Sequence, residues 1–174
     1  MPIDLRELQT NDLVRLAATR GGAAWKGVRE KWSRYLAEHT KGLRVVLLAD
    51  TSEAIVAYGS LAWASQNPAF RSAGIPEIQD LVVAEDHRRT GLGTRLIRAL
   101  EARAKNAGYS RVGIGVGLYR DYGAAQRLYC RLGYVPDGQG VSYKNVGVPP
   151  LSKVRVDDDL VLWLVRHLGD LSLG

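Results

Sequence analysis

The chain has one cysteine, Cys130, among its 174 residues, so it can form no disulfide within itself and no cysteine-built zinc site. Three scattered histidines supply no metal spacing either. The longest apolar run, Leu160 to Val165, falls far short of the roughly 20 residues of a membrane helix. The opening residues, Met1-Pro2-Ile3-Asp4, carry no secretory pattern, so a reduced cytoplasm is the expected location. Two nucleotide-binding patterns are also missing. A dinucleotide fingerprint fails at Leu96 when counted from Gly91 and at Leu118 when counted from Gly113, and no P-loop string occurs. No repeat, low-complexity tract or linker marks a second domain, and residues 1–174 read as one.

What is present begins with charge. The formal net charge is +6 and the isoelectric point is near 9.6. This admits nucleic acid, an anionic surface or an anionic small ligand, but the basic residues are scattered as on a solvated surface. Aromatic residues interleaved with lysine and arginine, the mark of a nucleic-acid face, are not evident. At 46% apolar and 24% charged, the composition is that of an ordinary globular domain.

The pattern predicts an edge strand over Ile3–Leu8, a helix capped within Thr10-Asn11-Asp12, and a helix from Ala23 to about His39. That second helix carries a core stripe of Trp25, Val28, Trp32, Tyr35 and Leu36. A hairpin follows, Leu43–Ala49 and Ala54–Trp63, then a long loop over Ser65–Pro76. Next come a strand at Glu77–Val83, a helix at Gly91–Ala107 and a strand at Arg111–Leu118. A shorter helix capped by Asp121 and stopped by Gly133 leads to a strand from Tyr134, a loop-rich Pro136–Val156 and a last strand at Leu160–Leu168. The strand–helix–strand order implies a locally parallel pair, and the hairpins imply antiparallel ones. The expected fold is therefore α/β (α+β type), a mixed, mostly antiparallel central sheet with helices on both faces. Gly113, Gly115 and Gly117 share one strand face, so something packs unusually close there, a helix or a ligand arm.

The segment Glu77–Gly93, EIQDLVVAEDHRRTGLG, is the most informative. A strand runs into a charged turn, and glycines open a helix. Bare amides and the positive end of the helix dipole favour an anion such as a pyrophosphate there, with Arg88 and Arg89 beside it. Leu81-x-Val83 ends the strand, and Arg88-x-x-Gly91-x-Gly93 follows. Farther on lies Ala125-x-x-Leu128-Tyr129-x-x-Leu132-Gly133-Tyr134. Together these closely resemble the GNAT superfamily of acyl-CoA-dependent N-acetyltransferases, whose signature is an L-x-V strand, a [QR]-x-x-G-x-[GA] loop and an A-x-x-L-Y-x-x-x-G-[FY] helix. The chain departs from it at Arg89, where many members have glycine, at Glu85, where many have proline, and at Asp121-Tyr122-Gly123, which lacks a frequent asparagine and its cofactor hydrogen bond.

The resemblance implies acetyl-CoA as co-substrate, no metal, and direct acetyl transfer to an amine in a ternary complex. The acceptor is a small amine, an aminoglycoside-like or amino-acid metabolite, or a protein amine. Leu81, Val82 and Val83 would pair with the pantetheine arm. Amides of Arg88, Arg89, Thr90, Gly91, Leu92, Gly93 and Thr94 would hold the pyrophosphate. Gly113, Gly115 and Gly117 would leave room beside the thioester, or admit helix packing. Tyr129 matches the tyrosine near the sulfur, the alternative being a buried structural tyrosine. Its unperturbed phenol is about 2 kcal/mol too weak an acid to protonate a thiolate fully, so hydrogen bonding is its expected part. Deprotonating a lysine-like amine at pH 7 costs about 4.6 kcal/mol, which calls for a carboxylate. Glu77 and Asp80 are the candidates, expected on opposite faces, with Glu77, on the Leu81 face, marginally preferred. Asp157-Asp158-Asp159 would attract a cationic amine or form a solvated turn. His87 reads as a surface turn residue and Cys130 as a small packed side chain. Other readings are a CoA-binding module without turnover and a basic nucleic-acid-binding domain. The family analogy allows a homodimer, and neither nucleic acid nor membrane is expected as a partner.

Overall fold

The computed structural model describes residues 3–18, 28–51 and 53–169. Trp25, expected in the core stripe, lies outside them. The chain divides into two compact units, Met1–Trp63 with Ile78–Arg103, and Ala64–Glu77 with Ala104–Gly174.

The first unit holds β1 (Asp4–Glu7), α1 (Asp12–Ala18), α2 (Val28–Thr40), β2 (Arg44–Asp50), β3 (Ile55–Ala62), most of β4 (Glu77–Val83) and the first turns of α4 (Leu92–Asn106). Its strands run in the order β1-β2-β3-β4. β1 with β2 and β2 with β3 are antiparallel. Bonds from Ala84 N–H to Val56 O (2.8 Å) and from Ser60 Oγ to Gln79 O (3.2 Å) run β4 antiparallel to β3.

β3 is buried at all eight positions because helices cover both of its faces. On one side Tyr58 meets Trp32 of α2 edge-on, with centroids 4.8 Å apart, within a core of Leu8, Leu16, Trp32, Tyr35, Val46, Leu48 and Ile55. The aromatic stripe of α2 is thus core, as its spacing predicts. On the other side Gly59 offers no Cβ, and the position it leaves bare lies 3.2 Å from Leu100 of α4 and 3.2 Å from Leu81. Leu92, Leu96, Ile97 and Leu100 form the buried stripe of α4, at the 3.6-residue period seen in the sequence.

A charged cluster ties β1, α1 and β2 together. Arg6 donates to both Asp12 oxygens (2.6 and 2.7 Å) and to Asp50, which also takes Arg15 (2.7 Å). Asp12 is 1% exposed and reaches back to the Gln9 amide. Burial alone would raise its pKa, but the Arg6 and Gln9 bonds outweigh that and hold it below the usual range. Asp50 is held low chiefly by Arg15.

The second unit holds α3 (Pro68–Ser72), β5 (Arg111–Gly117), α5 (Gly123–Arg131), β6 (Val135–Tyr143), β7 (Val146–Gly147) and β8 (Leu160–His167). Strand order is β5-β8-β6-β7, antiparallel throughout. The α/β class with mostly antiparallel strands agrees with the pattern.

Three local expectations need correction. The Ser65–Pro76 loop contains α3, where Asn67 Oδ1 accepts the amides of Ala69 (2.8 Å) and Phe70 (3.1 Å) and Pro68 starts the turn. Pro136–Val156 is not loop throughout, because β6 and β7 pair across Lys144 (φ 51°) and Asn145 (φ 63°), the two left-handed residues that a tight hairpin requires. Asp121 does not cap α5. It sits in a 3-10 turn, Arg120–Tyr122, and the helix starts without a side-chain cap bond. Among the described residues no helix is long and apolar enough to cross a membrane.

Candidate active site

The turn between β4 and α4 is built for bare backbone. A 3-10 turn at Glu85–His87 ends β4, then Arg89 (φ 63°) and Gly91 (φ 84°) take left-handed conformations. A Cβ added at Gly91 would meet nothing within 4 Å, so its φ, not crowding, requires glycine. The first bond of α4 runs from Arg95 N–H to Gly91 O (3.0 Å). Helix geometry therefore leaves the amides of Leu92, Gly93 and Thr94 without partners in the helix, at its positive end. Of the amides expected to hold a pyrophosphate, that of Arg88 is already spent on Glu85 O (3.1 Å). Arg88 Nε also bonds Val83 O (3.2 Å), one of the strand groups assigned by resemblance to the pantetheine arm. Thr90 Oγ1 donates to His87 O (2.7 Å) and braces the turn. His87 is less superficial than expected, since its Nδ1 is buried and has no partner among the described residues. Side chains of Leu81 and Val82 are structural, Leu81 against Gly59 and Val82 against the α2 core.

β4 is kinked. Asp80 has φ 52°, and Gln79 and Asp80, neighbours in sequence, turn to the same side. Gln79 Oε1 accepts Arg44 Nη1 (2.8 Å), while Asp80 Oδ2 accepts the Tyr35 hydroxyl and pairs with Lys31 Nζ (3.0 Å). Two consecutive residues on one face is the behaviour of a bulge, which breaks the alternation used to place Glu77 and Asp80 on opposite faces. The Tyr35 phenol is pushed up to about 12 by burial and by Asp80. Among the described residues, Asp80 Oδ1 accepts nothing, and its side chain is 39% exposed.

Glu77 has the opposite surroundings. It is 6% exposed and accepts Ser65 Oγ (2.5 Å) and the Gln66 amide (3.3 Å), anchoring the segment that leads into α3.

In the second unit Tyr129 is the buried residue of α5, 6.1 Å between centroids from Tyr134. Burial pushes its phenol up to about 12. Cys130, expected to be packed, is exposed. The bare face of β5 is filled by the unit's own side chains. A Cβ at Gly113 would lie 2.1 Å from Phe70, one at Gly115 2.9 Å from Val161, and one at Gly117 2.4 Å from Tyr122. Of the two expectations for that face, close packing is realised, though by side chains from several elements. Asp158 Oδ1 accepts both Tyr119 and Tyr122 (2.9 Å), and Asp157 accepts Tyr143 (3.1 Å), so the acidic run is tied within its own surroundings.

A glycine-opened helix follows a bulged strand on a largely antiparallel α/β frame, the arrangement that the family resemblance implies. The model of the Acetyltransferase (GNAT) family matches residues 10–134, and the chain belongs to that family. "Uncharacterized N-acetyltransferase YobR" of Bacillus subtilis (strain 168) is 40% identical over 63 residues, 36% of this chain. The match spans only 25% of that relative's length. Among solved structures, yncA of Salmonella typhimurium, determined with its cofactor acetyl-CoA, aligns with TM-score 0.67 and 18% identity, covering 100% of this chain and 98% of that one. A GNAT family acetyltransferase from Elizabethkingia anophelis with acetyl-CoA bound aligns with TM-score 0.62 and 17% identity over 95% and 97% of the two chains. Ribosomal-protein-alanine N-acetyltransferase from Brucella melitensis gives 0.68 and 18% over 94% and 99%. At these identities the structures establish a shared fold.

Proposed function

We propose that this chain, acting as one domain over residues 1–174, transfers the acetyl group of acetyl-CoA directly to an amine. The observation that carries the reading is the set of Leu92, Gly93 and Thr94 amides without helix partners, opened by left-handed Arg89 and Gly91 at the start of α4. Those donors, with the Arg88 and Arg89 guanidiniums, suit a diphosphate. Bound there, acetyl-CoA supplies an activated thioester, and the chain's own groups do the rest.

The acceptor nitrogen attacks as a free base, forming the C–N bond as the C–S bond breaks, and its surplus proton leaves to a carboxylate directly or through water. Of the two carboxylates, Asp80 is our choice, because Oδ2 is fixed by Tyr35 and Lys31 while Oδ1 is open. Both of the bonds made to Glu77 named above serve packing. Tyr129 is assigned to hydrogen-bond the departing thiolate. Its phenol, pushed up to about 12, stands about 5 kcal/mol too weak to hand its proton fully to the thiolate of a thiol of ordinary acidity, so it stabilises charge as a donor. Cys130 has no part in a direct transfer.

Thermal melting with acetyl-CoA at about 100 times its Kd should add about 2.7 kcal/mol of stability. An amine panel with thioester consumption as readout then separates enzyme from passive binder. Stabilisation without consumption would leave a CoA-binding module, and no stabilisation would refute the cofactor site itself.

A further inference from the structure

The groups around Asp80 Oδ2 that would hold an ammonium ion are taken by the chain's own lysine. Lys31 Nζ pairs with Asp80 Oδ2 (3.0 Å) and donates to the Tyr58 hydroxyl (3.0 Å). It lies 5.8, 5.3 and 5.0 Å from the ring centroids of Trp32, Tyr35 and Tyr58. A carboxylate and three aromatic faces make a strong cation site, and it is filled. Among the described residues, the other charged groups on this side add no free anion. Arg44 stacks 4.2 Å from the Tyr35 ring and is itself paired with Glu38 (2.6 Å).

We infer that Lys31 sets acceptor specificity: the site takes a weakly basic amine, such as an α-amino group, in its neutral form, and discriminates against lysine-type ε-amines. The inference rests on the proposed placement of Asp80 on the acceptor side. An acceptor nitrogen reaching Oδ1 meets a carboxylate whose charge Lys31 balances on the other oxygen. A second cation there is repelled at a distance well inside the Debye length, whereas a neutral amine is not. An unpaired carboxylate could bind the ammonium first and take its proton inside the site. With Lys31 in place that route is closed, and the amine must arrive already deprotonated. At pH 7 about one α-amine in seven is neutral but only about one ε-amine in 2,500, a ratio of about 350-fold. The lysine is partly accessible, 25% exposed, so its side chain can be replaced without opening the core beneath it.

The test compares kcat/KM at pH 7 for alaninamide and Nα-acetyl-lysine amide. The wild-type protein should favour alaninamide by about 100-fold or more. Lys31→Met should shrink that ratio by about tenfold or more, through a lower KM for the ε-amine, and Lys31→Arg should keep it. A wild-type preference for the ε-amine, or a ratio unmoved in Lys31→Met, overturns the inference. A second readout needs no turnover. Calorimetry with n-butylammonium at about 10 mM should show no binding to wild type, binding to Lys31→Ala, and none to Lys31→Ala with Asp80→Asn. Failure of Lys31→Ala to take up n-butylammonium overturns the inference even in an active enzyme. Uptake by that variant of a protein that consumes no thioester upholds the cation site and overturns the acetyltransferase reading instead.

Discussion

Replacing Gly113 by alanine separates the two uses a side-chain-free strand face can have. The added Cβ would lie 2.1, 2.6 and 2.8 Å from three carbons of the Phe70 ring, all inside van der Waals contact. Neither partner moves easily. Gly113 is fixed by its amide bond to Pro76 O (2.9 Å) and its pairing with Val165. Phe70 is 1% exposed and meets Trp163 edge-on at 5.3 Å. A ring packed on every side shifts only as a rigid body, so the cost belongs at the upper end of the usual overpacking range, about 2–3 kcal/mol. For a chain of this size that lowers Tm by about 4–10 °C. Urea unfolding gives the free energy, and steady-state kinetics give KM for acetyl-CoA, which should not change. Adding Phe70→Leu should relieve part of the strain, with a coupling energy of about 1–2 kcal/mol between the two sites. Gly115→Ala, whose nearest neighbour is a Val161 methyl at 2.9 Å, should cost less. A Gly113→Ala protein within about 0.5 kcal/mol of wild type, with a raised acetyl-CoA KM, would refute the packing argument and return these glycines to the ligand.

Three further outcomes are expected. Tyr129→Phe should lower kcat by about 100-fold or more while leaving the urea midpoint nearly in place, since it removes a donor and keeps the buried ring; full turnover would exclude the tyrosine from the reaction. Gly91→Ala meets no neighbour but must hold φ 84°, so it should cost about 1–2 kcal/mol of stability and raise acetyl-CoA KM more than acceptor KM. Asp12 and Asp50 have folded pKa values below their unfolded ones, so their stabilisation is complete above about pH 4 and is lost as pH falls through the lowered values. Acid titration of stability should show this loss, and Asp12→Asn, which leaves Arg6 paired with Asp50 alone and puts an amide in the place of a buried carboxylate, should cost about 1–2 kcal/mol at neutral pH and flatten the acid slope.

Much of this molecule is legible in its residues. Strands β2, β3, β4 and β8 and helices α2 and α4 follow from apolar runs and 3.6-residue stripes, because burial demands them whatever the neighbours are. Gly91 and Gly93 mark the turn into α4 because only backbone geometry is needed to predict free amides at a helix start. Helix α3 went unseen although Asn67-Pro68 is a cap-and-start signal, since five residues are too few to show a period. The β6–β7 turn hid in Lys144-Asn145, which are not the glycines such a turn usually displays.

Local sequence determined the family motif, the helix that opens on free amides and the apolar stripes, all of which depend on residues within one or two turns of each other. The tertiary structure alone decided how the β5 glycines are filled, that Asp80 shares a side with Gln79, and that Lys31 neutralises it. Each of these brings together side chains far apart in the chain or turns on a single left-handed residue, and a pattern that assumes strict two-residue alternation has no means of registering either.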